Sequence, residues 1–158
     1  MHTVYPRLVA GIALMTGSRA VAEDAVQEAV VRAWERSERG QRIESLAAWV
    51  TTVSVNLARS WYRRLLAERR ARQQPRVADA PATTEERMDV IRALTALPRR
   101  QREATVLRYY LGMDVKEIAE VLGVGEGTAK TTLFRARQKL AAALGEPELE
   151  EANDRAWD

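Results

Sequence analysis

Apolar residues recur at helical spacing through most of this chain, and no stretch alternates as a strand does. Tyr5 to Met15 is an apolar run stopped by Thr16, Gly17 and Ser18. From Arg19 to Arg36, Ala22, Ala25, Val26, Ala29, Val30 and Ala33 fall on one arc and predict a second helix. Arg39, Gly40 and Gln41 form a loop. A long third helix is predicted from Ser45 to about Arg70, with Leu46, Val50, Val53, Leu57 and Trp61 inside.

The periodicity then lapses. Residues 71–84 (ARQQPRVADAPATT) carry two prolines and read as a flexible linker. Thr84 is placed to cap a helix from Glu85 to Leu97, with Met88, Ile91 and Leu94 apolar. Pro98 breaks the chain and starts another helix to about Leu111, closed by Gly112.

Asp114 to Leu140 (DVKEIAEVLGVGEGTAKTTLFRARQKL) has the form of a helix-turn-helix. Val115, Ile118, Ala119 and Leu122 stripe its first helix. Ala129, Leu133, Ala136 and Leu140 stripe the second. Ala119 is small enough for close helix approach, Gly123 supplies the left-handed residue that ends the first helix, and Val124 can plug the angle. The expected fold is therefore all-α: two small helical domains on a flexible linker, the C-terminal one containing the helix-turn-helix. The expected boundaries are 1–70, linker 71–84, 85–144 and a tail at 145–158.

Three outward faces carry candidate chemistry. Opposite the inner stripe of the last helix lie Lys130, Thr131, Phe134, Arg135 and Gln138, which can meet phosphates, base edges and thymine methyls. On the third helix Thr52, Asn56, Arg59 and Arg63 share a strip flanked by Trp49, and Arg64, Arg69, Arg70, Arg72 and Arg76 continue the positive charge. That strip suits a nucleic-acid backbone and unstacked bases, or is a solvated arginine face beside core tryptophans. On the second helix Asp24, Gln27, Glu28 and Glu35 surround an outward Val31. This acidic face suits a positively charged protein partner, or is simply solvated.

Composition narrows the choices. The chain has 158 residues, no cysteine and one histidine, His2, so disulfides, thiolate metal sites and histidine triads are excluded. No cofactor is implied. No apolar run reaches membrane-spanning length, and the expected location is cytoplasmic. The net charge of +3 hides an asymmetry: residues 1–144 hold 24 basic and 16 acidic residues, a net +8, whereas 145–158 carry −5. The body binds polyanions by charge. GVGEGTAKT (Gly123 to Thr131) is not a phosphate-binding loop, because Ala129 precedes Lys130 and a helix precedes Gly123. The carboxylates of the second helix lack the second functional group that acid–base catalysis needs.

With these pieces in place, residues 4 to 144 resemble the extracytoplasmic-function (ECF) sigma factors of bacterial RNA polymerase, within the sigma-70 family. Ala22 to Trp34 (AEDAVQEAVVRAW) is similar to region 2.2, Ala47 to Arg64 to regions 2.3 and 2.4, and Leu97 to Leu140 to region 4. The resemblance implies a non-enzymatic subunit that directs core polymerase to promoters and assists their opening. Asp24, Gln27, Glu28 and Val31 would dock the coiled coil of the largest subunit, with the flap a second contact. Trp49, Thr52, Asn56, Arg59 and Arg63 would meet the −10 element. Lys130, Thr131, Phe134, Arg135 and Gln138 would read the −35 element. An anti-sigma protein is a further partner of this family. Two departures weaken the last helix: Gly125 stands where the family usually has Ser, and Thr132 where Arg is common. The alternative is a stand-alone helix-turn-helix regulator whose first domain senses a signal or dimerises.

Overall fold

The computed structural model describes residues 4–73 and 84–145. All regular structure among them is helical. The chain divides into two compact units, Met1–Ala80 and Pro81–Asp158.

The first unit is built from α1 (Val4–Thr16), α2 (Arg19–Glu38) and α3 (Leu46–Ala71). Ser18 and Ser45 cap α2 and α3; their hydroxyls accept from Val21 N and Ala48 N, both at 3.3 Å. Of the predicted α2 arc, Ala22, Ala25, Val26, Ala29 and Ala33 are buried and Val30 is half-buried. The α3 stripe is not the one predicted. Leu46 is exposed, and Val53, Leu57 and Trp61 are only half-buried. The buried residues are Val50, Ser54, Val55, Ala58 and Tyr62. The inner face is thus turned by about 100°, one residue's worth of helix. The α2–α3 packing is the most extensive in the unit. Both buried faces are rich in small residues, the alanines of α2 and Ser54 and Ala58 of α3, which permits close helix approach.

The second unit is built from α4 (Glu85–Ala96), α5 (Arg99–Thr105), a π-helical turn (Val106–Tyr110), α6 (Val115–Leu122) and α7 (Glu126–Leu144). Helix α7 packs against α4, α5 and α6. Thr84 occupies the N-cap position of α4 but makes no side-chain capping bond, contrary to expectation. The helix after Pro98 does not run as one α-helix to Leu111. Its last turn widens, with Leu111 N donating to Val106 O at 3.0 Å. Arg108 then donates through Nη1 to Met113 O at 3.1 Å, which ties this turn to the entrance of α6.

Two charged residues of the polar segment Arg99–Glu103 are withdrawn from solvent. Arg102 and Glu103 are only 5% and 3% exposed. Arg99 Nε donates to Glu103 Oε1 at 3.1 Å, and Arg102 Nη1 to Thr95 O at 3.4 Å. Buried charge is tolerated only with such partners.

Candidate nucleic-acid and protein-docking surfaces

The helix-turn-helix forms as its pattern requires. Val115, Ile118, Ala119 and Leu122 of α6 are buried, as are Ala129, Leu133 and Ala136 of α7; Leu140 is half-buried. Gly123 adopts φ 66°, ψ 41°, a conformation costly for any residue with a Cβ, and so ends α6. Val124 N then donates to Ala119 O at 3.0 Å, closing the turn over the small residue. The start of α6 is held by a capping box. Glu117 N donates to Asp114 Oδ1, and Asp114 N to Glu117 Oε2, both at 2.8 Å. The spacing Asp-x-x-Glu before an apolar run is the signal that reveals it. Gly125 is the N-cap of α7 and contributes no side-chain bond.

Packing of the inner stripe leaves Lys130, Thr131, Phe134, Arg135 and Gln138 exposed together on one face of α7. Phe134 is 55% exposed, an unusual position for an aromatic ring unless something covers it. Thr131 Oγ1 donates to Gly127 O at 2.9 Å and Thr132 Oγ1 to Thr128 O at 2.8 Å. Each hydroxyl proton is therefore spent on its own helix. Thr131 turns its oxygen lone pairs and methyl to any ligand, and half-buried Thr132 adds little. Lys130 and Arg135 have no ion-pair partner among the described residues.

The α3 strip lies beside the buried stripe. Asn56 and Arg63 are exposed; Trp49, Thr52 and Arg59 are half-buried. The Arg36 guanidinium lies 5.9 Å from the centroid of the Trp49 ring, a cation–π contact that holds the ring beside α2. Arg64, Arg70 and Arg72 are exposed and Arg69 half-buried; Arg76 lies outside the described residues.

On α2 the outward face is Asp24, Gln27 and Val31, with Glu28 half-buried. Its carboxylates are not equivalent. Arg32 Nε donates to Glu28 Oε1 at 2.7 Å, and Arg39 lies 3.6 Å from Glu35. Asp24 has no ion-pair partner among the described residues, so it meets an incoming cation without breaking a pair. Sequence reading missed Trp34, which is 65% exposed and continues the row Gln27–Val31 by one step of three. Together with exposed Leu46 at the start of α3 and half-buried Ile43 of the loop before it, Trp34 lines a shallow apolar cleft with Ala33 and Val50. Its position on the outer row, seven residues from Gln27, was the available signal.

Comparison with known proteins bears on both units. The family profile for Sigma-70 region 2 matches residues 1–68, and that for Sigma-70, region 4 matches residues 87–140. The chain is 35% identical over 126 residues to the ECF RNA polymerase sigma factor SigM of Mycobacterium tuberculosis, covering 78% of this chain and 64% of that one. It is 33% identical over 144 residues to the ECF RNA polymerase sigma factor EcfG of Rhodopseudomonas palustris, covering 88% and 80%. Against several curated relatives it spans only 37% to 64% of their length. Among solved structures it resembles the sigma factor RpoE of Bartonella quintana, crystallised with the anti-sigma factor NepR. The TM-score is 0.69 at 28% identity, over 90% of this chain and 92% of that one. Two all-helical units carrying regions 2 and 4 in that order, together with these relatives, show that this chain belongs to the ECF sigma factors of the sigma-70 family.

Proposed function

We propose that this chain is a promoter-specificity subunit that recruits core RNA polymerase and helps to open the promoter. The observation that carries the proposal is the juxtaposition, on α7, of exposed Lys130, Thr131, Phe134, Arg135 and Gln138 over the buried Ala129, Leu133 and Ala136. Such a helix can enter a major groove without disturbing its own packing. Arg135 and Lys130 would meet phosphate or guanine, and Phe134 a thymine methyl. Residues 85–144 thereby read the −35 element.

Residues 1–70 would dock the polymerase and hold the −10 element. Asp24, Gln27, Glu28 and Val31 take the coiled coil of the largest subunit, and Trp34 extends that contact with apolar area. Asn56, Arg59 and Arg63, with Trp49 and Thr52 beside them, take the DNA. Opening a duplex costs about a few kcal/mol per unstacked step, which a basic, aromatic-edged face offsets by holding the displaced strand. Residues 71–84 tether the two grips, and binding both to the polymerase raises their effective concentration at the promoter. The chain then acts in the cytoplasm, as a non-enzymatic initiation factor; no helix among the described residues is long and apolar enough to cross a membrane. An anti-sigma protein would compete for the same surfaces.

The test is reconstitution with core RNA polymerase on promoter libraries. Promoter-specific initiation that needs the chain is the expected result. Arg135→Ala should lose about 1–3 kcal/mol of −35 discrimination. Sequence-specific DNA binding by the chain alone, with no effect on core polymerase, rejects this reading for the stand-alone regulator.

A further inference from the structure

Helix α7 carries five charged residues: Glu126, then Lys130, Arg135, Arg137 and Lys139. None of the four cations has an ion-pair partner among the described residues. Some arginines of other helices are tied to carboxylates one turn away, as Arg32 is to Glu28 and Arg92 to Asp89. On the same face Phe134 leaves 55% of its area to solvent. The surface therefore asks for a ligand that is anionic and carries an apolar or aromatic group.

The segment after α7 has that composition. Residues 146–158 (EPELEEANDRAWD) hold six acids, one arginine, Leu149 and Trp157, and lie outside the described residues. Two features of the junction favour a return along α7. Gly145 has φ 69°, and its N–H donates to Ala141 O, a left-handed cap that turns the chain away from the helix axis. The last turn of α7 has no basic residue, so the carbonyl end of the helix dipole repels an acidic segment starting beside it. Reach is sufficient. Phe134 lies about 16 Å from Gly145 along the helix axis. Twelve extended residues, the separation of Gly145 from Trp157, span up to about 40 Å.

We propose that residues 146–158 fold back on the Lys130–Phe134–Arg135 face of α7 as an internal anionic competitor of DNA. Acidic side chains take the places of phosphates, and Trp157 covers Phe134. The consequence for affinity follows from occupancy: a tail seated about 70–90% of the time weakens DNA binding about three- to tenfold. The contact is electrostatic and exposed, so it loosens as salt rises. The inference rests on the proposal that α7 meets DNA, but the contact itself can be detected without DNA.

The deciding experiment compares amide NMR spectra, free of DNA, of three chains: the full chain, one ending at Gly145, and a full-length chain with every tail carboxylate changed to its amide. Both variants should shift the amides of residues 127–138 relative to the full chain, and high salt should erase the difference. Unmoved α7 amides, or shifts confined to α1–α3, overturn the proposal. A second arm measures binding to a short mixed-sequence duplex. The shortened and neutralised chains should bind about three- to tenfold tighter at low salt, converging with the full chain as salt rises. Equal affinities at low salt also overturn it. Arg135→Ala in the shortened chain separates the two ideas. If that variant binds duplex unchanged, the DNA-reading role of α7 fails, while the amide shifts still decide the tail contact.

Discussion

Replacing Asp114 with Ala should loosen the helix-turn-helix by an amount set by its capping box. Helix α6 has eight residues, too few to hold helical form alone. Asp114 Oδ1 accepts from Glu117 N at 2.8 Å, and the carboxylate sits at the positive end of the helix dipole. Losing an N-cap acceptor costs about 1 kcal/mol, and losing the charge about 0.3–1 kcal/mol more, so Asp114→Ala should cost about 1–2 kcal/mol. Asp114→Asn keeps the acceptor and loses only the charge, for about 0.3–1 kcal/mol. In a unit this small each kcal/mol moves the midpoint about 4–8 °C, so Ala should lower it by roughly 5–15 °C and Asn by less than half as much. The assay is thermal unfolding of the full chain followed through the amide signals of α6 and α7. Signals of α1–α3, in the other compact unit, serve as the internal control. An Ala variant that melts with the wild type, or an Asn variant as damaged as Ala, would refute the capping argument.

Other substitutions test the remaining points. Ser54 is fully buried on α3, its hydroxyl without a hydrogen-bond partner among the described residues, so Ser54→Ala should leave the first unit as stable or up to about 1 kcal/mol more stable in denaturant titration. A clear loss would mean that the hydroxyl is bonded. Gly125 has φ −73° and open space where a Cβ would stand, so Gly125→Ser should add an N-cap to α7 and a few tenths of a kcal/mol, read as a small rise in midpoint. A fall would show that the glycine is needed. Asp24→Lys should weaken core polymerase binding in a pull-down titration and leave naked-DNA affinity unchanged. Undiminished polymerase binding removes Asp24 from the docking surface.

The local elements and the two faces of α7 follow from residues close together along the chain. A glycine turn, an Asp-x-x-Glu start and strict apolar spacing each act within a few residues, so no distant contact was needed to set them. Short connections between α5, α6 and α7 left little freedom for the inner stripe, and Ala129, Leu133 and Ala136 are buried where their spacing put them. The tertiary structure decided what depends on a neighbour's surface. On α3 the large residues Leu46, Leu57 and Trp61 marked one face, but the buried face is Val50, Ser54, Val55, Ala58 and Tyr62, in a unit whose most extensive packing is between α2 and α3. Burial of Arg102 and Glu103 is likewise a tertiary matter, with Arg99 and the Thr95 carbonyl as hydrogen-bond partners. The acidic face of α2 was legible as a set, yet only side-chain geometry separates Asp24, without an ion-pair partner among the described residues, from Glu28, held by Arg32. Spacing specifies which residues share a face; what packs or pairs against that face specifies what each of them is free to do.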